Sequence, residues 1–341
     1  YQRVGVMSAD VAPALAGPAI TLVMEPMLSK GLGAVSLGDA THTIEADTLD
    51  IVAKDGISIY EAHSVTIERI DSVDDDAIFV QAGGELTLNG AIKASGTSSV
   101  SLTTTSGAIN LNQGITTATG NVTVHAAAGM LFSEQGDIVS VGGNIDLDAG
   151  TGAMTMTGET FVDAGSGTLD LDAGGAITLG KLRTTNTGDV TITSGGVVDG
   201  GEGSSDIIAK NARLLIVASG GIGSASNAIE TEVARLSLTN NGNGDIALED
   251  VDGLIIDKID QNAGGSVSIS TVNGAIVTAD GGAGVTATSG AVSLYAGGAG
   301  GIITLSADVA TTGGGVSLTA EDGDITLDDA GAVLSSAVSV N

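Results

Sequence analysis

The chain has 341 residues, yet only six are aromatic, none is Cys or Trp, and 53 are Gly. A core for that length has to be laid down in thin aliphatic layers of Val, Ile, Leu and Ala. The formal net charge of −30 excludes a basic surface for nucleic acid and disfavours anionic membranes. The missing cysteines exclude a disulfide scaffold, and a 42% hydrophobic content is far from the composition of a disordered chain.

Residues 1–34 stand apart from the rest of the chain. They hold all three prolines (Pro13, Pro18, Pro26), and the charges of Arg3, Lys30, Asp10 and Glu25 cancel. One strand is expected over 19–24. Two roles fit the segment. It is an N-terminal cap that covers the open end of a stack, or a docking segment that adds a strand to another copy through Ile20, Leu22 and Met24. No membrane insertion is expected, because the apolar run 11–24 is short and holds two prolines. A first residue other than Met is what a processed product or a fragment would have.

From residue 35 a short block recurs: Val35-Ser36-Leu37, Val100-Ser101-Leu102, Val292-Ser293-Leu294 and Val316-Ser317-Leu318, with looser copies such as Ile145-Asp146-Leu147. Its first residues fall at 35, 57, 78, 100, 122, 145, 169, 190, 214, 236, 267, 292, 316 and 338. The steps between them are nearly equal, apart from a long one after Leu236. A fixed period of that size marks a solenoid. Aliphatic, small polar, aliphatic is period two, a strand with two side chains inward and one outward.

A second row runs through Leu86, Ile109, Leu131, Met154, Ile177, Val198, Ile222, Ile246, Ile276, Ile303 and Ile325, each with a glycine two positions before it. That glycine column is expected to be a corner, where the backbone takes a positive φ or turns sharply. A looser third row passes near Leu49, Ile70, Ile92, Ile115, Ile138, Val162, Leu182, Ile207, Ile229, Ile255, Val285, Val309 and Val333. Three short strands per turn give an all-β fold, a right-handed parallel β-helix over 35–341 with about 13 turns and a length of roughly 60 Å. The absence of Pro after residue 34 agrees with strands paired on both sides. The long step after Leu236 implies an insertion around 249–258 that protrudes as a loop, with Asp252 and Asp257 as candidate partner contacts.

The motif Asp-Leu-Asp-Ala-Gly occurs twice, at 146–150 and 170–174, one period apart. Asp146, Asp148, Asp170 and Asp172 should therefore form a square of carboxylates on one face, where Ca²⁺ would relieve their repulsion. The bland alternative is a solvated acidic patch. Arg213 and Arg235 should stack in adjacent turns, with Asp189 at the same position one turn earlier, as a local charge ladder. His42, His63 and His125 lack the spacing of a metal triad, and Gly200-Gly201-Glu202-Gly203-Ser204-Ser205-Asp206 misses the register of the Ca²⁺-binding nonapeptide. No catalytic set is evident, and no cofactor is required.

Segments such as Gly174-Gly175-Ala176-Ile177-Thr178-Leu179 and Gly188-Asp189-Val190-Thr191-Ile192-Thr193-Ser194-Gly195-Gly196 resemble the repeat regions of filamentous-haemagglutinin-type exoproteins and similar giant bacterial surface adhesins. The resemblance covers 35–341 and implies an extracellular fibre or stalk on a bacterial surface, without catalysis. The Asn-Pro-Asn-Leu turn of that family's secretion domain does not occur. The chain ends on a block with no visible cap, so it continues or is covered by the next subunit, and in the latter case 1–34 would build head-to-tail filaments. Two other functions compete. A β-helix polysaccharide lyase would combine clustered Asp, Ca²⁺ and an Arg base, but the Asp square and the Arg pair lie apart and sugar-stacking aromatics are scarce. An ice-binding face would need an unbroken Ser/Thr row, and Phe79, His125, Leu215 and Tyr295 interrupt it.

Overall fold

The computed structural model describes residues 34–201 and 203–328, and the strand backbone of Ala16–Gly17, Ile20–Val23, Val333–Leu334 and Val338–Val340. Every regular element among them is a strand, with no helix, and parallel coils stack into a β-solenoid of about 13 turns. The chain divides into two compact units, Tyr1–Gly175 and Ala176–Asn341.

In the first unit Val35, Ile57, Ile78, Val100, Val122, Ile145 and Leu169 are register partners from coil to coil. Leu37, Ile59, Val80, Leu102, Val124, Leu147 and Leu171 form the adjoining column, and both columns are buried. The residue between them points outward, as period two requires. Each buried aliphatic side chain is worth roughly 1.5–3 kcal/mol before chain entropy is subtracted. Ile70, Ile92, Ile115, Ile138 and Val162 build the third face. Ile20–Val23 lies parallel on Thr48–Ala53, with Ile20 opposite Leu49 and Leu22 opposite Ile51. The strand expected over 19–24 thus extends the sheet of its own chain, while Met24 lies outside the described residues.

The second row differs from expectation by one position in two coils. Met130, not Leu131, continues the column of Ile109 and Met154, and Val197, not Val198, pairs with Ile177. Leu131 and Val198 are 50% and 45% exposed. Two neighbouring apolar residues compete for the inward position at each site, and the ladder decides between them. In the third row Ile256 and Leu254 are buried while Ile255 is only half-buried.

For most of the glycine column, positive φ is not the reason for glycine. Of the eleven, only Gly129 and Gly244 have positive φ. Most of the others are held by close approach between coils, Gly196 being an exception with no foreign atom nearer than 3.5 Å. A Cβ on Gly107 would lie 2.3 Å from the Glu85 nitrogen, and one on Gly152 would lie 2.3 Å from the Ala128 oxygen. At these two corners the coils stack so tightly that no side chain fits between them.

No protruding loop exists between Leu236 and Val267. Leu254–Gln261 is a strand in the solenoid wall, paired with Ile229–Asn240 on one side and with Ile276–Thr278 and Gly284–Ala287 on the other. Leu236 is opposite Ile256, and Val267 is opposite Ile246, so both coils have ordinary lengths. The long step is one turn plus one face. After Leu236 the block moves to the column of Val197, Ile222 and Ile246, and continues there through Val292, Val316 and Val338. The shift follows two long strands, Ile207–Ala218 and Ile229–Asn240, that run two faces together where other coils turn a corner. Their ladders absorb the mismatch as irregularities at Ala209/Arg213 and Leu236/Ser237.

Many corners carry a buried hydroxyl. Thr104 Oγ1 donates to Gly107 O (2.5 Å), Thr117 to Gly120 O (2.8 Å) and Thr271 to Gly274 O (2.6 Å). Each gives a corner carbonyl a hydrogen-bond donor within its own turn.

Candidate cation site and ion-pair groove

Three acidic side chains meet at a corner of the second unit. Asp199 closes the strand Gly196–Asp199, and Asp206 precedes Ile207–Ala218. Glu230 lies in Ile229–Asn240, in the coil next to Asp206, whose Oδ2 accepts its backbone N–H at 3.1 Å. One carboxylate oxygen from each of Asp199, Asp206 and Glu230 lies within 4.8 Å of the others, the only such set among the described residues. Asp206 is fully buried, and Asp199 is 7% exposed. Asp199 Oδ1 accepts the Gly201 N–H at 2.6 Å. Glu230 Oε2 is screened from solvent and accepts no hydrogen bond. Burial pushes the Glu230 carboxyl above its ordinary range, and the Asp199 charge pushes it further. Anionic oxygens gathered out of water call for a proton or a hard cation.

Asp146 and Asp170, and Asp148 and Asp172, are register partners, as the doubled motif predicts. Their oxygens do not converge on one point, however, and Asp146 and Asp148 have other engagements. His125 Nε2 lies 3.2 Å from Asp146 Oδ2, and Asp148 Oδ1 accepts the Gly150 N–H at 2.7 Å. Burial raises Asp170, with Asp146 and Asp172 adding to the effect. The square is an outward, half-solvated row, whereas the corner triad is enclosed.

The third cluster is the Arg ladder. Arg213 and Arg235 are register partners on adjacent strands, at the irregular stretch of their ladder. Arg213 grips Asp189 in two-point fashion, Nε to Oδ1 at 3.1 Å and Nη2 to Oδ2 at 2.6 Å. Arg235 does the same with Asp257, Nε to Oδ2 at 3.0 Å with Nη2 on Oδ1. The two guanidinium groups thus turn to opposite sides, which relieves their mutual repulsion, and the carboxylates hold both firmly charged. They floor an open groove of about 490 Å³, walled by Thr187 and Asn211 and by residues 279–282. Asp257 is therefore a partner of Arg235 within the wall rather than part of a loop. Asp252 sits on an exposed bend, where its N–H donates to Asp250 Oδ1 at 3.1 Å.

Sequence reasoning reached Asp189, Arg213 and Arg235 but missed the corner triad. A signal was present: Asp199 and Asp206 bracket a glycine-rich loop, and Glu230 follows Asp206 by one turn. Asp257 was hidden because the phase shift after Leu236 removes it from any fixed offset. Compared with family models, curated proteins and solved structures, the chain matches none.

Proposed function

We propose that the protein is a non-catalytic structural element, a stalk or filament subunit of an adhesin-like bacterial surface protein that works outside the cell. The observation that carries this reading is the parallel stacking of aliphatic columns from coil to coil within each unit, in register over most of its ladders. Such an array places its stabilising energy in repetition rather than in one preorganised pocket. Its Arg side chains at 213 and 235 are committed to neighbouring aspartates rather than poised as bases. The repeat resemblance of 35–341 supports the same role, and a net charge of −30 keeps copies soluble and away from nucleic acid. End-to-end assembly with itself is the partner relation this role implies. Electron microscopy of the purified chain tests it: elongated particles or filaments are expected, and compact particles would overturn it.

A second reading is favoured by one observation, the triad of Asp199, Asp206 and Glu230. Here Ca²⁺ is a structural rivet that joins two coils at their acidic corner, in a Ca²⁺-dependent carbohydrate-active protein. Release of unsaturated products from acidic polysaccharide in the presence of Ca²⁺ would establish a lyase and sink the structural reading.

A further inference from the structure

The groove over Arg213 and Arg235 has a composition that neither a scaffold nor a lyase requires. Of the 11 Lys and Arg residues in the chain, these two occupy adjacent rungs and share one floor. Each is neutralised within the groove, Arg213 by Asp189 and Arg235 by Asp257. The floor is therefore a line of two planar donors, Arg213 and Arg235, flanked by two planar acceptors, Asp189 and Asp257, whose charges cancel, and the Asp280 carboxylate in the wall leaves the groove one negative charge in excess. Each guanidinium gives its Nε–H and one Nη2–H to its aspartate and keeps the remaining N–H groups for a ligand. The carboxylates keep spare lone pairs, and the Thr187 hydroxyl and Asn211 amide add to the walls. The four floor side chains are only partly exposed, at 41%, 38%, 44% and 18% for Arg213, Asp189, Arg235 and Asp257. Two-point ion pairs hold them in place before anything binds, so little ordering is left for binding itself to impose.

Charge selects the ligand. An anion finds the arginines already paired and a −30 chain around them; a cation meets two guanidinium groups. An apolar ligand finds no aromatic or large aliphatic side chain in the lining. What remains is a neutral molecule dense in hydroxyls, each both donor and acceptor. Adjacent hydroxyls match the paired oxygens of Asp and the forked N–H groups of Arg. The volume of about 490 Å³ falls in the range of small-ligand clefts, roughly 300–1,000 Å³, and the groove is open to solvent, as a chain-like ligand needs.

We infer that this groove binds a neutral polyhydroxylated ligand, an uncharged oligosaccharide, with the Asp189–Arg213 and Arg235–Asp257 pairs as the recognition elements. The inference is independent of the structural role: a stalk can carry such a groove, and its failure would leave that role standing. Retention of the purified chain on an array of neutral maltose-, cellobiose- and mannose-series oligosaccharides, beside acidic oligogalacturonates, tests it. The best neutral binder is then titrated by calorimetry against the double variant Asp189→Ala/Arg213→Ala, which removes one whole pair and leaves net charge unchanged. Retention of a neutral oligosaccharide, weakened at least tenfold in the double variant with an unaltered circular dichroism spectrum, is the expected result. Should the double variant fail to fold, Asn211→Ala, a change on the exposed wall, is expected to weaken binding at least threefold. Retention of acidic oligosaccharides alone, of nothing, or of neutral ones equally by wild type and variants overturns the inference.

Discussion

Asp250 is the clearest place to test how the solenoid holds charge in its interior. It is fully buried, and its carboxylate takes three donors: Thr231 Oγ1 at 2.8 Å and the Val233 N–H at 3.0 Å on Oδ2, and the Asp252 N–H at 3.1 Å on Oδ1. Burial outweighs these bonds and pushes its pKa from 3.8 to about 6. A carboxyl whose folded pKa lies above its unfolded one binds its proton more tightly in the native state. The stability linked to that proton is fully present below pH 3.8 and is lost as the pH rises through about 6. At 1.36 kcal/mol per pH unit, that interval is worth about 3 kcal/mol. In Asp250→Asn the amide oxygen keeps Thr231 and Val233, while its NH₂ faces the Asp252 N–H, a fixed cost of about 1–3 kcal/mol at every pH. Repeat arrays can unfold region by region, so the assay is local: exchange of the Val233 amide, compared between wild type and variant at matched pH from 4 to 7.5. Protection in the wild type should fall relative to the variant by about 2.4 kcal/mol between pH 4 and 7.5, the rest of the ~3 kcal/mol lying below pH 4. Parallel profiles would refute the reasoning, because charge self-repulsion on acidification is common to both proteins.

Other consequences follow from the packing. Gly107→Ala places a Cβ 2.3 Å from backbone and should lower stability in urea by about 1–3 kcal/mol. Gly142→Ala, whose nearest foreign atom is the Ser166 Oγ at 3.1 Å, should stay within about 0.5 kcal/mol; equal effects would remove close approach as the cause. Leu171→Asp puts an unpaired carboxylate opposite Leu147 in a fully buried column and should cost more than about 4 kcal/mol, with unchanged thermal unfolding counting against the inward assignment. Thr271→Val deletes the bond to Gly274 O and the one from the Gly297 N–H, for an expected loss of about 1–3 kcal/mol by thermal denaturation. If the corner triad holds Ca²⁺, adding the ion should raise the melting temperature of wild type but not of Asp206→Asn/Glu230→Gln; equal shifts would place any bound ion elsewhere.

The amino-acid sequence by itself determined the strand, the repeat and the core. Paired aliphatic residues with one polar residue between them, recurring once per turn, can bury their faces only by stacking, and the columns of the first unit run as that pattern requires. It also placed Asp146 beside Asp170 and Arg213 beside Arg235, since equal positions in successive turns are neighbours. Which face a block occupies was left to the tertiary structure. All faces satisfy the same alternation, so Val267 is as well suited to the column of Ile246 as to that of Leu236. The same degeneracy hid Met130 behind Leu131 and turned Asp257 from a supposed loop residue into the partner of Arg235. Hydrophobic period specifies a turn's length and its inward side chains. Only hydrogen-bond register, set where two long strands replace a corner, decides which side chains meet across it.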